Sequence, residues 1–248
     1  MTSAAPLRRS DLAIVRGAVA ADRCASWLGL VETAIQRAHD TSSLPSLLLQ
    51  DVPGLDVAAV WSSLDPRVQT RCASMLHGRV AVDLDQCWVR QQQAPSCGPA
   101  HRPHSWHQDG ALRFDFLAAG TAAPPADALL QMVTCWIAIT PCGIEAPGLE
   151  LVAAPMDEML RPGELREAVV DARWADSMRQ RPSMAPGDAA VFTGDVLHRT
   201  HVTPAMTVGR ISLELRCFAA DALPARLRGD RFLIVGEITP AAGAVRTG

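Results

Sequence analysis

The chain has 248 residues and a mass of 26.5 kDa, with 48% hydrophobic and 20% charged residues, the balance of a packed globular protein. A net charge of −3 and the lack of any Lys/Arg run argue against a nucleic-acid partner. The seven cysteines (Cys24, Cys72, Cys87, Cys97, Cys135, Cys142 and Cys217) form no Cys-x-x-Cys pair, which fits neither a zinc knuckle nor a disulfide framework.

Near the N-terminus the apolar run Leu12–Val15 is cut short by Arg16, so no signal peptide or membrane span is expected. With reduced thiols this points to a cytoplasmic protein, a monomer or homodimer without a membrane partner. Cys24, Leu28, Val31, Ile35 and Ala38 recur at helical spacing after Asp22 and predict a helix. Ser42 to Leu55, rich in Ser, Pro and Leu, reads as a loop. Asp65-Pro66 predicts a second helix, Arg67 to about His77, with proline in the first turn where its missing N–H costs little.

From Val80 the period changes to two. Val80–Leu84 and Gln86–Gln93 read as strands, the second ending at Ala94-Pro95. A loop through Cys97, Gly98, Pro99 and Pro103 leads into His104-Ser-Trp-His-Gln-Asp-Gly110. Ala111–Phe116 is expected to run extended and Ala118–Pro125 to form a loop. Leu129–Ile139, apolar and bounded by prolines, predicts a buried strand, and Leu149–Ala153 another. Pro162–Trp174 is a polar insertion with helical content. Ser183–Asp188 marks a tight turn into Ala189–Phe192, Leu197–Val202 follows, and Arg210–Phe218 alternates cleanly.

Helices first, then many short strands, predict a mainly β protein: a barrel or sandwich carrying N-terminal helices. No internal repeat or linker divides it. One domain over residues 1–248 is expected, with a helical N-terminal region over residues 1–79, a β core over about 80–220 and a C-terminal extension over 221–248.

His107 and Asp109 are separated by one residue, which in an extended strand puts both side chains on one face. Two ligands hold a metal poorly, and the third can come from His198 or His201. Two histidines and one carboxylate occupy one face of an octahedron around Fe(II) and leave the other positions open. The same ligand types also suit zinc.

Arg210 follows on the next strand, and Ser212 shares its face. A guanidinium flanked by a hydroxyl suits a carboxylate, which arginine grips bidentately. If that face is interior, the unpaired cation needs an anionic partner. A dicarboxylate such as 2-oxoglutarate supplies one.

Trp-His107-Gln-Asp109-Gly, Gly187-Asp188 with Val191-Phe192, Leu197-His198 and Arg210-Ile-Ser-Leu, taken in order, resemble the phytanoyl-CoA dioxygenase family across roughly Trp88 to Phe218. The resemblance implies a double-stranded β-helix, a cupin-like jelly roll, with helices packed on it. It implies Fe(II), 2-oxoglutarate and O2 as cofactor and cosubstrates. It selects His198 over His201, because a Phe stands six positions before the family's distal histidine and a Ser or Thr two after, as Phe192 and Thr200 do here.

It further implies that Arg210 pairs with the far carboxylate of 2-oxoglutarate, with Thr200 as hydroxyl donor and Ser212 as its rival. Gln92 and Trp136 match a family amide and a family tryptophan beside the cosubstrate. Arg113, six positions after His107, is a candidate for an anionic substrate. The Ser-His that the family usually carries after its Pro-Gly is missing here, where the chain reads Pro147-Gly-Leu-Glu-Leu.

The expected activity is hydroxylation of a small molecule, in bacterial secondary metabolism, with release of succinate and CO2. Related halogenases replace the carboxylate ligand with a small residue so that chloride can bind, and Asp109 argues against that outcome. Desaturation, epoxidation or cyclisation are alternatives within the same chemistry. A cupin-like metal-binding or sensor protein without turnover, and a zinc hydrolase, are the alternatives outside it.

Overall fold

The computed structural model describes residues 11–39, 46–97, 103–110, 132–154, 159–223 and 231–235. In chain order the elements are β1 (Leu12–Val15), α1 (Ala21–His39), β2 (Ser46–Leu48), α2 (Val57–Ser62), α3 (Pro66–Met75), β3 (Val80–Asp83), β4 (Trp88–Gln92) and β5 (Met132–Ala138). They continue with β6 (Gly148–Val152), α4 (Glu167–Arg173), β7 (Arg179–Gln180), β8 (Ala189–Thr193), β9 (His198–His201), β10 (Arg210–Ala219) and β11 (Phe232–Val235).

The helices start where the sequence supplies caps. The Asp56 carboxylate accepts from the Ala59 N–H at 2.7 Å to open α2, and Asp65 accepts from the Arg67 N–H at 2.8 Å to open α3, with Pro66 at its first position. α1 falls where its apolar spacing predicts it, and α3 where the Asp65-Pro66 start predicts it.

The strands form an eight-stranded sheet and a three-stranded sheet, antiparallel throughout the described pairings. The large sheet runs β1-β8-β5-β10-β3-β11. β4 joins β10 along Arg210–Glu214, while β3 takes over that flank at Cys217–Ala219. The small sheet is β7-β6-β9. Two antiparallel sheets packed face to face make the mainly β, cupin-like jelly roll, a double-stranded β-helix.

Because strand side chains alternate, each long strand of the large sheet serves two compartments. Val133, Cys135 and Ile137 of β5, Ala189 and Val191 of β8, and Ile211, Leu213, Leu215 and Cys217 of β10 pack in one apolar core with helix residues such as Val31, Val60 and Val68. Trp136 and Ala138, Ala190 and Phe192 point the other way, onto Leu149 and Leu151 of the small sheet. The candidate site lies on this second face. Its position between the sheets therefore follows from which residues have even numbers.

Several sequence expectations need correction. The stretch read as a loop, Ser42–Leu55, contains strand β2 and a 3-10 turn over Leu49–Asp51 among its described residues. β2 is an edge strand on β4, and its three residues are too few for a period to show. β1 is likewise a short edge strand, registered Leu12 to Phe192, and β11 pairs with β3 inside the expected C-terminal extension. A 3-10 turn over Leu84–Gln86 separates β3 from β4. The expectations for Ala111–Phe116 and Ala118–Pro125 lie outside the described residues. No helix among the described residues is long and apolar enough to cross a membrane.

Candidate metal centre

His107 and Asp109 do not sit on a strand. His107 forms a single bridge to His198, in which the His107 N–H donates to the His198 carbonyl at 2.9 Å and the His198 N–H donates back at 3.0 Å. The chain then turns at Asp109 and Gly110. The Gly110 N–H donates to the Gly194 carbonyl at 2.7 Å, and the two backbones come so close that a Cβ on Gly194 would lie 2.7 Å from the Gly110 Cα. Only glycine permits that approach.

Between the two candidate ligands, Gln108 is buried and ties the segment from inside. Its amide donates to the Asp195 carbonyl and its oxygen accepts from the Leu160 N–H, both at 2.8 Å. The side chains at 107 and 109 thus converge through a bridge and a turn rather than through strand alternation.

The His107 and His198 ring centroids are 4.2 Å apart. The His107 Nε2 lies 3.8 Å from Asp109 Oδ1, and the His198 Nε2 lies 3.5 Å from Asp109 Oδ2. One ligand atom from each of the three residues falls within 4.8 Å of the others, and this is the one such group of three His, Cys, Asp or Glu among the described residues.

The imidazoles are oriented for ligation. The His107 Nδ1 is 2.7 Å from the Ser105 carbonyl and the His198 Nδ1 is 2.9 Å from the Val196 carbonyl. A carbonyl only accepts, so each Nδ1 carries a proton and each Nε2 is the nitrogen turned toward Asp109. Burial, joined by the neighbouring His198, pushes His107 down to about 4, so it is neutral at pH 7 with no proton to displace. The edge of Phe192 stands against His198, centroids 4.7 Å apart.

Asp109 is held from both sides. Thr134 of β5 donates to Oδ2 at 2.7 Å and Arg216 of β10 donates to Oδ1 at 3.0 Å. Burial works to raise its proton affinity, but Arg216, the two histidines and the Thr134 hydroxyl outweigh it and keep the carboxyl well below the usual carboxylate range. Two imidazoles and one ionised carboxylate are a mixed N/O set of the kind that binds non-haem Fe(II).

Arg210 is buried, and among the described residues no carboxylate pairs with it. Its Nη1 donates to the Ser212 hydroxyl at 2.5 Å, its guanidinium lies 5.0 Å from the Trp136 ring centroid, and its buried Nε finds no acceptor. Burial lowers its proton affinity, since nothing nearby neutralises the charge well. The buried Trp136 Nε1 also lacks an acceptor. Two orphaned donors beside an unmatched cation fit an anionic oxygen ligand.

A pocket joins these groups, lined among others by His107, His198, Thr200, Trp136, Arg210 and Arg90. Thr200 and His198 share the inward side of β9. His201, three positions after His198 on the same strand, faces away, with its Nδ1 3.7 Å from Glu150 Oε2.

Of the remaining expected residues, Ser212 is fully buried and engaged by Arg210 rather than lining the pocket. Gln92 stands opposite Arg210 in the β4–β10 register, but its amide donates to the Gln93 carbonyl at 3.3 Å and it does not line the pocket either. Arg113 lies outside the described residues.

Sequence reasoning missed Arg90, Thr134, Glu214 and Arg216. Glu214 sits between two cations, its Oε1 2.9 Å from Arg90 Nε and its Oε2 3.1 Å from Arg216 Nη2. Burial opposes its ionisation, but Arg90 and then Arg216 bring it down to about 2. The signal was present: Arg210, Ser212, Glu214 and Arg216 are consecutive members of one alternating set on β10.

The family model described as phytanoyl-CoA dioxygenase (PhyH) matches residues 12–204. No curated protein sequence matches the chain. Among solved structures, the chain is similar to the non-heme alpha-ketoglutarate-dependent carbocyclase SnoK from nogalamycin biosynthesis, with a TM-score of 0.63 and 14% identity, over 92% of this chain and 93% of that one. It is also similar to the epimerase SnoN in complex with Fe3+, alpha-ketoglutarate and nogalamycin RO (TM-score 0.59, 15% identity, 92% and 94% covered). EctD from S. alaskensis with 2-oxoglutarate and 5-hydroxyectoine gives a TM-score of 0.61 at 15% identity, over 86% of this chain and 73% of that one. At these identities the likeness is one of fold.

Proposed function

The chain belongs to the phytanoyl-CoA dioxygenase family, whose members are Fe(II)- and 2-oxoglutarate-dependent oxidoreductases that use O2, and on that premise we propose that it hydroxylates a small molecule at the His107–Asp109–His198 centre. The observation that carries this reading is the meeting of two Nε2 atoms and one pinned carboxylate beside a buried guanidinium that has no carboxylate partner among the described residues.

In this reading His107, Asp109 and His198 hold Fe(II). Arg210 takes the far carboxylate of 2-oxoglutarate, Thr200 offers its hydroxyl beside it, and Trp136 forms the wall. Ser212 acts on Arg210, fixing the guanidinium. Bound Fe(II), 2-oxoglutarate and O2 together supply the oxidising power to take a hydrogen from carbon and return a hydroxyl, with succinate and CO2 as coproducts.

The chain's own share is geometry and exclusion of water. Ser105 and Val196 set the imidazole tautomers, Thr134 and Arg216 hold both oxygens of Asp109, and Phe192 shields His198. Asp109 fills the position that chloride would need, which favours oxygen transfer over halogenation. We assign the reaction to a small-molecule substrate of secondary metabolism.

The test is a metal and coproduct assay. Protein purified without oxygen should take up Fe(II), bind 2-oxoglutarate only in its presence, and release succinate and CO2 on exposure to O2. A preparation that binds zinc in preference and forms no succinate would sink the reading. So would full turnover in His198→Ala.

A further inference from the structure

Four guanidiniums line the pocket (Arg90, Arg199, Arg210 and Arg216) together with one carboxylate, Glu214. Arg199 and Arg181 share Glu150, at 2.7 and 2.5 Å, and Arg199 also meets Glu167 at 2.6 Å, so these two cations and two carboxylates balance one another. Arg216 is matched by Asp109, which stands just behind the pocket wall. Glu214 is left to neutralise only one of Arg90 and Arg210. A divalent iron and a doubly charged 2-oxoglutarate cancel each other. Among the described residues, one positive charge is therefore left over in the loaded pocket, and leaving a charge unmatched in a dry site is costly.

The surplus has a location. Arg210 stands opposite Gln92 in the β4–β10 ladder, whereas Arg90 stands opposite Ser212, two rungs along. The two cations occupy different places on the wall, so one can hold the cosubstrate while the other faces a second ligand. Arg90 is anchored without being used up. Its Nε is 2.9 Å from Glu214, a carboxylate it shares with Arg216, and its Nη1 donates to the Ser46 hydroxyl at 3.0 Å. Its guanidinium lies over the Trp88 ring, 5.3 Å from the centroid.

About one-fifth of the Arg90 side chain stays exposed. Beside it, the His104 Nε2 is 3.2 Å from Arg90 Nη1 and so must accept, which makes His104 a neutral group. The His104 ring lies 5.7 Å from the His107 ring, so this corner adjoins the metal centre.

We propose that the substrate carries an anionic group, a carboxylate or a phosphate, and that Arg90 binds it at the corner it forms with His104. The inference rests on the assignment of iron and 2-oxoglutarate given above, and it makes Arg90 a residue that selects among substrates by charge. It also explains why a half-buried arginine is tethered to a shared carboxylate. A tether keeps the guanidinium in place when no substrate is present, at a smaller cost than leaving the charge isolated.

The probes are matched sets of small ligands: a short carboxylic acid, its primary amide, and the corresponding phosphate ester. They are titrated into protein loaded with Fe(II) and saturated with 2-oxoglutarate in the absence of oxygen. Binding is read from the visible absorption of the iron–cosubstrate complex and from tryptophan fluorescence. The acid, the phosphate or both should bind roughly ten- to a hundred-fold more tightly than the amide, the size expected of a charge-assisted hydrogen bond.

Arg90→Gln should abolish that preference and Arg90→Lys should keep some of it. The wild-type comparison needs no variant to fold. If the amide binds as well as both anions, or if neither anion perturbs either signal, the proposal is overturned. Retention of the anion preference in Arg90→Gln overturns it too. Failure of the wild-type protein to take up iron or 2-oxoglutarate, seen before any probe is added, would instead overturn the site reading beneath it.

Discussion

Strand β10 lives in two environments at once. On one side Ile211, Leu213, Leu215 and Cys217 meet the helices through an apolar core in which shape is the main demand. On the other, Arg210, Ser212, Glu214 and Arg216 form an ionic and hydrogen-bonded row at the pocket, where the demand is pairing. Both faces are buried, yet they fail differently. A lost methyl group on the first leaves a cavity, while a lost partner on the second leaves a buried charge.

The largest effect should come from the metal ligands. His107→Ala or His198→Ala should cost iron affinity well beyond the roughly 10–100-fold typical of losing an outer partner. The metal-free variants should still fold but melt somewhat below the wild-type apo protein, because each imidazole also donates to a backbone carbonyl. Calorimetric titration with Fe(II) and a melting scan decide this. Thr134→Val, which removes the donor to Asp109 Oδ2, should fall inside that range of roughly 10–100-fold.

Arg210→Met comes next. Losing a buried charge partner costs about 2–5 kcal/mol of binding, so 2-oxoglutarate affinity should fall by about two orders of magnitude or more while iron uptake persists. An unchanged 2-oxoglutarate Kd would detach Arg210 from the cosubstrate.

A direct contrast between the two faces uses Arg216→Met and Leu213→Ala. The first strands Asp109 and Glu214 beside one another and should lower stability by about 3–5 kcal/mol, with weaker iron binding in the folded fraction. The second should lower stability by about 2–5 kcal/mol and leave the iron affinity of folded molecules as it was. Equal losses of iron affinity in the two variants would mean that the faces are not separable.

The smallest effect concerns acid pH at the rim of the small sheet. Glu150 is buried, and although burial opposes its ionisation, hydrogen bonds and charge from Arg199 and Arg181 keep its carboxyl below the ordinary value. Its folded pKa is thus below its unfolded one, so the stability it contributes is fully present above the ordinary glutamate value of about 4.3 and fades as pH falls through the folded value. Glu150→Gln should be less stable than wild type at neutral pH, and the gap should narrow in acid. A gap that stays constant from neutral to acid pH in denaturant melts would contradict this.

Much of the site was legible from local chemistry. The spacing of His107 and Asp109 and the Arg210–Ser212 pair could be read from residue types and strand alternation, the choice of His198 over His201 came from the family resemblance, α3 could be read from its Asp-Pro start, and α1, β5 and β10 from apolar and alternating pattern. The mechanism expected for the first pair was different, since a bridge and a turn, not a strand, bring 107 and 109 together. The same alternation that exposed Arg210 and Ser212 runs on to Glu214 and Arg216, but a charged pair on a strand reads as easily as a solvated face.

The sequence by itself determined the chemistry on offer: two imidazoles, one carboxylate and a guanidinium, the last on a strand whose period directs it inward. Period and residue type are local properties, and they survive without knowledge of the neighbours. Only the tertiary structure decided which groups are matched. Arg90 comes from β4, Thr134 from β5, and Glu214 and Arg216 from β10, and no local pattern states that these strands are adjacent. Charge neutralisation depends on distances between side chains far apart in the chain. For that reason the surplus charge at Arg90, and with it the inferred character of the substrate, emerged only from the folded protein.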